Sequence, residues 1–478
     1  MNLDYSLLTP EFMLAGLAVL VAAVDLFLGD RLRRDYIPYL SAAGLATTLG
    51  VSLAWVNKES NFAGLIQVDN FTTFFRVFFI GITFFVTLAS AHFVRGRLRH
   101  AGEYYALLIL STIGAIYMAA ARELLTAYIS LELLSFSLYI LVSFAKFDPK
   151  SNEGGLKYML LGAFSSAMLL YGISFIYGVS GSTTYSEIAG ALAGNTESFD
   201  FALLMGLVLV LTGLGFKVAA VPFHMWTPDA YEGAPLPITA YLSATSKAAG
   251  FALLLRLFAG AFLPVLDDWQ WMVAALSAVT MTVGNVIAIQ QHNIKRLLAY
   301  SSIGQVGFML MGIAALSDAT ASALVLHMTG YVVTNLAVFI PVIAYYNLTG
   351  KDEIADYRGM AERAPFLAAG MTIALFSLAG LPIFAGFLTK FILFQAAAEE
   401  DFLWLSALAV VNSVISLYYY LNVIKQMYMV DPEEMTRFRV PLTVNGSLAV
   451  LVAGVLFIGV YPGPLFKIVD NATRFLFS

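Results

Sequence analysis

Between residues 11 and 460 the chain is a succession of apolar runs, each about as long as the ~20-residue helix that crosses the ~30 Å hydrocarbon core of a bilayer. Short polar loops separate them. Counted this way, the sequence predicts about fourteen spans, near 11–28, 37–56, 71–94, 104–121, 124–145, 156–178, 201–221, 236–260, 270–290, 297–316, 320–346, 365–397, 402–428 and 440–460. The expected fold is an all-α polytopic membrane protein, a single membrane domain over 1–478. Composition agrees: 12% of residues are charged, against about 25% in soluble domains. A net charge of −5 gives no sign of a nucleic-acid partner. The absence of cysteine excludes disulfides, Cys-zinc sites and thiolate-bound clusters in this chain. The opening MNLDYSLLTPEF has no basic stretch and carries Asp4 and Glu11, so the first run is expected to be a retained span rather than a cleaved signal.

Loop charges predict the orientation. Arg31, Arg33 and Arg34, then Arg95, Arg97 and Arg99, Lys146 and Lys150, Lys295 and Arg296, Lys351, Arg358 and Arg363, and Arg437 and Arg439 fall in alternate loops. The opposite loops hold little beyond Lys58 and Arg122. By the positive-inside rule the basic set is cytoplasmic and both termini lie outside.

Charges inside the spans point to function. A lysine at the bilayer centre costs ~2.5–3.5 kcal/mol on insertion scales, and Lys217, Lys247 and Lys390 all lie within apolar runs. Pro222 interrupts the first of these runs. It removes the helical partner of the Val218 carbonyl and opens a polar spot beside Lys217. Lys247 has Ser243, Thr245 and Ser246 as polar neighbours. Lys390 lies in the 365–397 run, which is too long for one straight helix. With Gly380, Pro382 and Gly386 inside it, that run is expected to bend or break. Glu132, in AYISLELLSFS, is the carboxylate placed to pair with one of these lysines or to exchange protons. Snorkelling to an interface is the alternative for a membrane lysine; it suits Arg256 and Lys425 near helix ends better than Lys217 and Lys247. Lys157 stands at the start of its span and fits either role. His327 reads more readily as a satisfied core histidine, and His224 lacks a second ligand at zinc spacing. Asp25, Glu123 and Arg76 read as interface residues.

A buried lysine is pushed towards neutrality by desolvation and back towards charge by a nearby carboxylate. A swing of about three pKa units is worth roughly 4 kcal/mol, more than the ~2.3 kcal/mol needed to move a proton across 100 mV. By type and magnitude, Glu132, Lys217, Lys247 and Lys390 form a candidate proton relay.

Internal repetition adds to this. TIG at 112–114 and LLTAYISLELLSFSL at 124–138 parallel TVG at 282–284 and LLAYSSIGQVGFML at 297–310. Gly213 with Lys217 returns as Gly386 with Lys390, both G-x-x-x-K. The two units, 104–260 and 270–428, hold about five helices each, so an odd count inverts the second relative to the first. Inverted repeats with broken helices are a transporter architecture that places the ion path at the breaks.

The segment GFKVAAVPFHMWTPDAYEGAPLPITAYLSATSKAAG at 215–250 closely resembles the signature of the antiporter-like subunits of NADH-quinone oxidoreductase, respiratory complex I. EGGLKYMLLGAFSSA at 153–167, LEL around Glu132 and LAGLPIFAGFLTKF at 378–391 extend the resemblance over roughly 100–430. Within this family the shortest member type is the most similar, with lysine rather than glutamate in the second broken helix. The resemblance implies an ion pair of Glu132 with Lys217, a central relay lysine at Lys247 and an exit lysine at Lys390. Lys157 matches a further family lysine, and His327 falls on the central polar axis. It further implies a bacterial inner membrane and no cofactor in this chain, with NAD, FMN, iron–sulfur clusters and quinone in partner subunits. The implied partners are other membrane subunits, sister antiporter-like chains among them, and lipid. Alternatives of other classes are a subunit of a multi-subunit Na+/H+ antiporter, of a related hydrogenase or photosynthetic complex, and a purely structural membrane subunit.

Overall fold

The computed structural model describes all residues except 1–3, 28, 29, 99, 195–200, 433–436 and 478, and the side chains of 30–34. Arg99 and the side chains of Arg31, Arg33 and Arg34, used above for orientation, lie outside the described residues. The described residues are mainly helical. In chain order the helices are α1 Thr9–Phe27, α2 Asp30–Leu53, α3 Asn70–Arg97, α4 Ala101–Ala120, α5 Leu124–Val142, α6 Pro149–Ser180, α7 Tyr185–Ala193, α8 Phe201–Val218, α9 Trp226–Gly233, α10 Leu236–Tyr241, α11 Lys247–Leu257, α12 Leu266–Ala288, α13 Ile294–Ala314, α14 Asp318–Thr349, α15 Met360–Arg363, α16 Pro365–Ala379, α17 Ala385–Glu399, α18 Leu403–Met429, α19 Leu442–Val460 and α20 Gly463–Thr473. One antiparallel hairpin, β1 Ser60–Phe62 with β2 Ile66–Val68, interrupts the pattern.

Among the described residues, eleven helical stretches are long and apolar enough to cross a membrane. One is compound: Leu236–Ala288 runs α10, a π-helical turn at Leu242–Ser246, α11 and α12 together. The expected span at 37–56 begins instead at the charged residues of α2, and the 365–397 run is two helices.

Local chemistry sets the ends. Asp148 caps α6 through the Lys150 N–H, with Pro149 in the first turn where its missing N–H costs nothing. Gly181 and Gly350 close α6 and α14 in the left-handed region. Glu123, expected at an interface, caps α5 by accepting from the N–H groups of Leu125 and Thr126. Two breaks interrupt spans. At the first, α8 stops at Val218, Ala219 takes φ +67° and the chain turns before α9. At the second, Gly380 (φ +86°) and Ile383 (φ +81°) separate α16 from α17.

Loops segregate to two ends. At one, the Arg122 N–H donates to Leu65 O beside the hairpin, and Arg122 O accepts from the Tyr185 N–H. At the other, α9 presents Asp229 and Glu232 to the basic residues that begin α6 and α13. Lys157 (2.7 Å) and Arg296 (2.9 Å) reach Asp229, while Lys150 (2.7 Å) and Arg296 (2.9 Å) reach Glu232. Burial alone would raise both carboxyls, but the hydrogen bonds from these cations outweigh it and hold them below their usual range.

The core runs through α13 and α14, nearly every residue of which is enclosed, whereas α6, α18 and α19 keep most of their surface outward. Two buried ion pairs correct the interface reading. Arg256 is not at an interface: it grips Asp69 with two nitrogens (2.6 and 2.9 Å) and donates to Thr72 and Ala119 O. Arg76 is fully enclosed and donates to Glu11 at 2.7 Å, and Asp25 is buried as well. The reason is common to both pairs. A partner on a neighbouring helix offsets part of the desolvation cost that would otherwise drive each charge to the surface.

Candidate functional site

Lys217, Lys247 and Lys390 are all enclosed, at 2%, 1% and 4% exposure. None meets a carboxylate among the described residues; each amine is held by hydroxyls or a carbonyl.

Lys217 sits one residue before the end of α8 and donates to Ser135 Oγ at 2.9 Å. Its stem packs beside Gly250 of α11, where a side chain would touch Lys217 Cγ. Glu132 is one turn before Ser135 on α5, half-buried, and its carboxylate accepts from the Ser166 hydroxyl on α6. The direct Glu132–Lys217 ion pair is therefore not formed. Three residues at 3.6 per turn rotate Ser135 about 60° around α5 from Glu132, so the serine faces α8 while the glutamate faces α6.

Lys247 opens α11 immediately after the π-helical turn, an irregularity frequent at functional sites. It donates to Ser302 Oγ on α13 at 2.5 Å and lies 5.7 Å from the Tyr231 ring centroid. Asn335 Nδ2 donates to Ser243 Oγ (2.5 Å) and Tyr331 OH to Ser243 O (3.2 Å), tying α14 to the same turn.

The second break makes the third lysine's site. A helix that stops leaves its last carbonyls without intrahelical partners and a partial negative charge. Leu378 O, at the end of α16, accepts from Lys390 Nζ at 2.8 Å, and Lys390 also donates to Ser413 Oγ at 3.1 Å. Gln305, one turn past Ser302, donates to the same Leu378 carbonyl at 3.4 Å. Lys247, Ser302, Gln305, Leu378 O and Lys390 thus form a nearly continuous polar file across the bundle. A cavity of about 280 Å³ opens beside Lys390 between α17 and α18.

His327, on α14, shares a 3.1 Å hydrogen bond with Thr389, the neighbour of Lys390, and its Nε2 is unpartnered. It adjoins the file. Lys157 does not: 44% exposed, it pairs with Asp229 and Glu153 at one end of the bundle. The G-x-x-x-K match also differs in placement, since Lys217 precedes its break and Lys390 follows its own. Sequence reasoning missed Ser135, Gln305, Leu378 O and Ser413. Ser302 and Gln305, polar residues one turn apart on an apolar helix, were the available signal.

Residues 121–416 match the family described as NADH:quinone oxidoreductase/Mrp antiporter, TM. A Dehalococcoides mccartyi protein named NADH-quinone oxidoreductase subunit N is 42% identical over 98% of this chain and 99% of its own length. The chain belongs to this family. A Moorella thermoacetica subunit N is likewise 42% identical, over 98% of both chains. Among solved structures, a chain of respiratory complex I from Thermus thermophilus with bound aureothin superposes with a TM-score of 0.80 at 29% identity, covering 97% of this chain and 99% of that one. A chain of the Mrp complex from a Dietzia species shares the fold, with a TM-score of 0.87 at 21% identity over 99% and 97%. The protein is thus a multi-pass, antiporter-like membrane subunit of the complex I type.

Proposed function

We propose that this chain carries protons across the bacterial inner membrane as a subunit of an NADH-quinone oxidoreductase, driven by redox chemistry in other subunits. In this reading the relay is Glu132, Lys217, Lys247 and Lys390, with His327 beside its far end. Lys157 serves the charge cluster on α9 rather than the relay. NAD, FMN, iron–sulfur clusters and quinone belong to partner chains, and the flanking partners are sister antiporter-like subunits and lipid. About fourteen spans place both termini outside, and 104–260 and 270–428 act as inverted units.

The observation that carries the proposal is the polar file from Lys247 to Lys390 through Ser302, Gln305 and Leu378 O. Amines favour protons over sodium, because a metal cation in such folds needs carbonyl and carboxylate oxygens around it. The test is Lys247→Gln in the assembled complex reconstituted in vesicles. Proton uptake coupled to quinone reduction is expected to fall about tenfold or more, as for loss of a positioned proton carrier. Native coupled turnover would refute the relay.

A further inference from the structure

A second polar line lies outside the lysine file. On α3, Thr83, Thr87 and Ser90 fall at i, i+4 and i+7, one face of the helix, and all three are fully buried. Such hydroxyls in an apolar bundle need partners, and this face finds them on α4 and α10. Thr83 and Thr112 hydroxyls lie 2.7 Å apart, and Thr112 and the Tyr241 phenol 2.9 Å apart. Ser111 donates to the same phenol at 2.9 Å. Two turns along α3, Ser90 and the Tyr105 phenol are 2.8 Å apart. Between these two groups stands the Thr87 hydroxyl, buried and without a partner.

Both ends of the line lead somewhere. Tyr241 closes α10, and Thr245, beside it on the π-helical turn, precedes Lys247 by two residues. At the other end, one turn past Ser90, Phe93 lines a cavity of about 470 Å³. Arg97, His100, Lys146 and Lys295 line the same cavity, which opens at the end of the bundle that carries the basic loops.

We propose that this line is a proton inlet, running from the basic-end cavity through Ser90–Tyr105, Thr87 and Thr83–Thr112 to Tyr241 and so to Lys247. It rests on the relay and orientation read above. Each hydroxyl both donates and accepts, so in every hop one O–H bond forms as the next breaks, and the row is left with no net change in bonding. The row requires a water at Thr87 and another between Thr245 and Lys247, where the Thr87 and Thr245 hydroxyls lie buried with no hydrogen-bond partner. The inlet enlists α3, which precedes both repeat units.

The test uses isosteric replacements in the assembled complex in vesicles: Tyr241→Phe, Thr112→Val, Thr112→Ser and, alongside, Lys247→Gln. Tyr241→Phe and Thr112→Val are expected to slow coupled quinone reduction several-fold and to raise the solvent deuterium isotope effect on it. Thr112→Ser, which keeps the hydroxyl, is expected to restore both values to native. If Thr112→Ser is as slow as Thr112→Val, the threonine acts by packing and the inlet is refuted. If Lys247→Gln blocks turnover while Tyr241→Phe and Thr112→Val are native in rate and isotope effect, the inlet is refuted and the relay stands. If Lys247→Gln is itself native, the relay falls and the inlet with it.

Discussion

At the scale of single residues, the recurring theme is an amine held without a counter-ion. Lys217 has Ser135, Lys247 has Ser302, and Lys390 has a helix-end carbonyl and Ser413. Such partners stabilise either protonation state, since a hydroxyl accepts from an ammonium and donates to an amine. A tight carboxylate pair would instead fix the charge. Glu132 stands one turn from the Lys217 partner, close enough to bias the amine without locking it. Glu132→Gln is therefore expected to lower proton pumping about tenfold or more, and Glu132→Asp to retain part of it; uptake by vesicles during quinone reduction measures both. Much of this site was legible in the sequence, because a charge inside an apolar run is conspicuous whatever the fold. Gln305 and the Leu378 carbonyl were not, since their role depends on which helix lies opposite. The same blindness misplaced Arg256 and Arg76, whose partners Asp69 and Glu11 lie 187 and 65 residues away.

At the scale of elements, the second break makes the Lys390 site. Proline and glycine at 380–386 announced it, and α16 ends where they begin. Gly386 then packs α17 against the end of α16 so closely that an added Cβ would strike Ser377 O, while its N–H donates to Ser377 Oγ at 3.0 Å. Gly386→Ala is expected to push the half-helices apart, move Leu378 O from Lys390 and cut coupled turnover several-fold. Purified complex with native turnover and native thermal stability would contradict this. The helix pairs α4–α5 and α12–α13 share a similar close approach. A Cβ on Gly114 would meet Ser130 O and the Leu134 backbone, and one on Gly284 the backbone of Ile303 and Gly304. The placement of Lys217 before its break and Lys390 after its own argues that the two lysines are not repeat equivalents.

For the whole molecule, the lengths of the apolar runs carried most of the fold, because a bilayer leaves few ways to arrange apolar helices. What they did not convey is which helices sit inside: α13 and α14 are no more apolar than α6, yet they form the core. The basic-end cluster on α9 and the hairpin end define two faces, and orientation predicts which is cytoplasmic. With no native cysteine, single probes are clean. Asn152→Cys, exposed in the α6 start, is expected to resist an impermeant maleimide applied to intact cells, and Lys58→Cys, exposed on the opposite loop, to react. The reverse pattern would invert the topology and the direction of the relay.

The relay itself is tested most directly at Lys390, where the adjoining cavity of about 280 Å³ gives a larger cation room to fit. Lys390→Arg keeps the charge but cannot release a proton, while Lys390→Glu reverses the charge and still titrates. Coupled quinone reduction and proton uptake of both variants, in the assembled complex, separate the two properties. The relay predicts that arginine assembles but blocks turnover and that glutamate retains measurable pumping. Arginine pumping as well as lysine would contradict it.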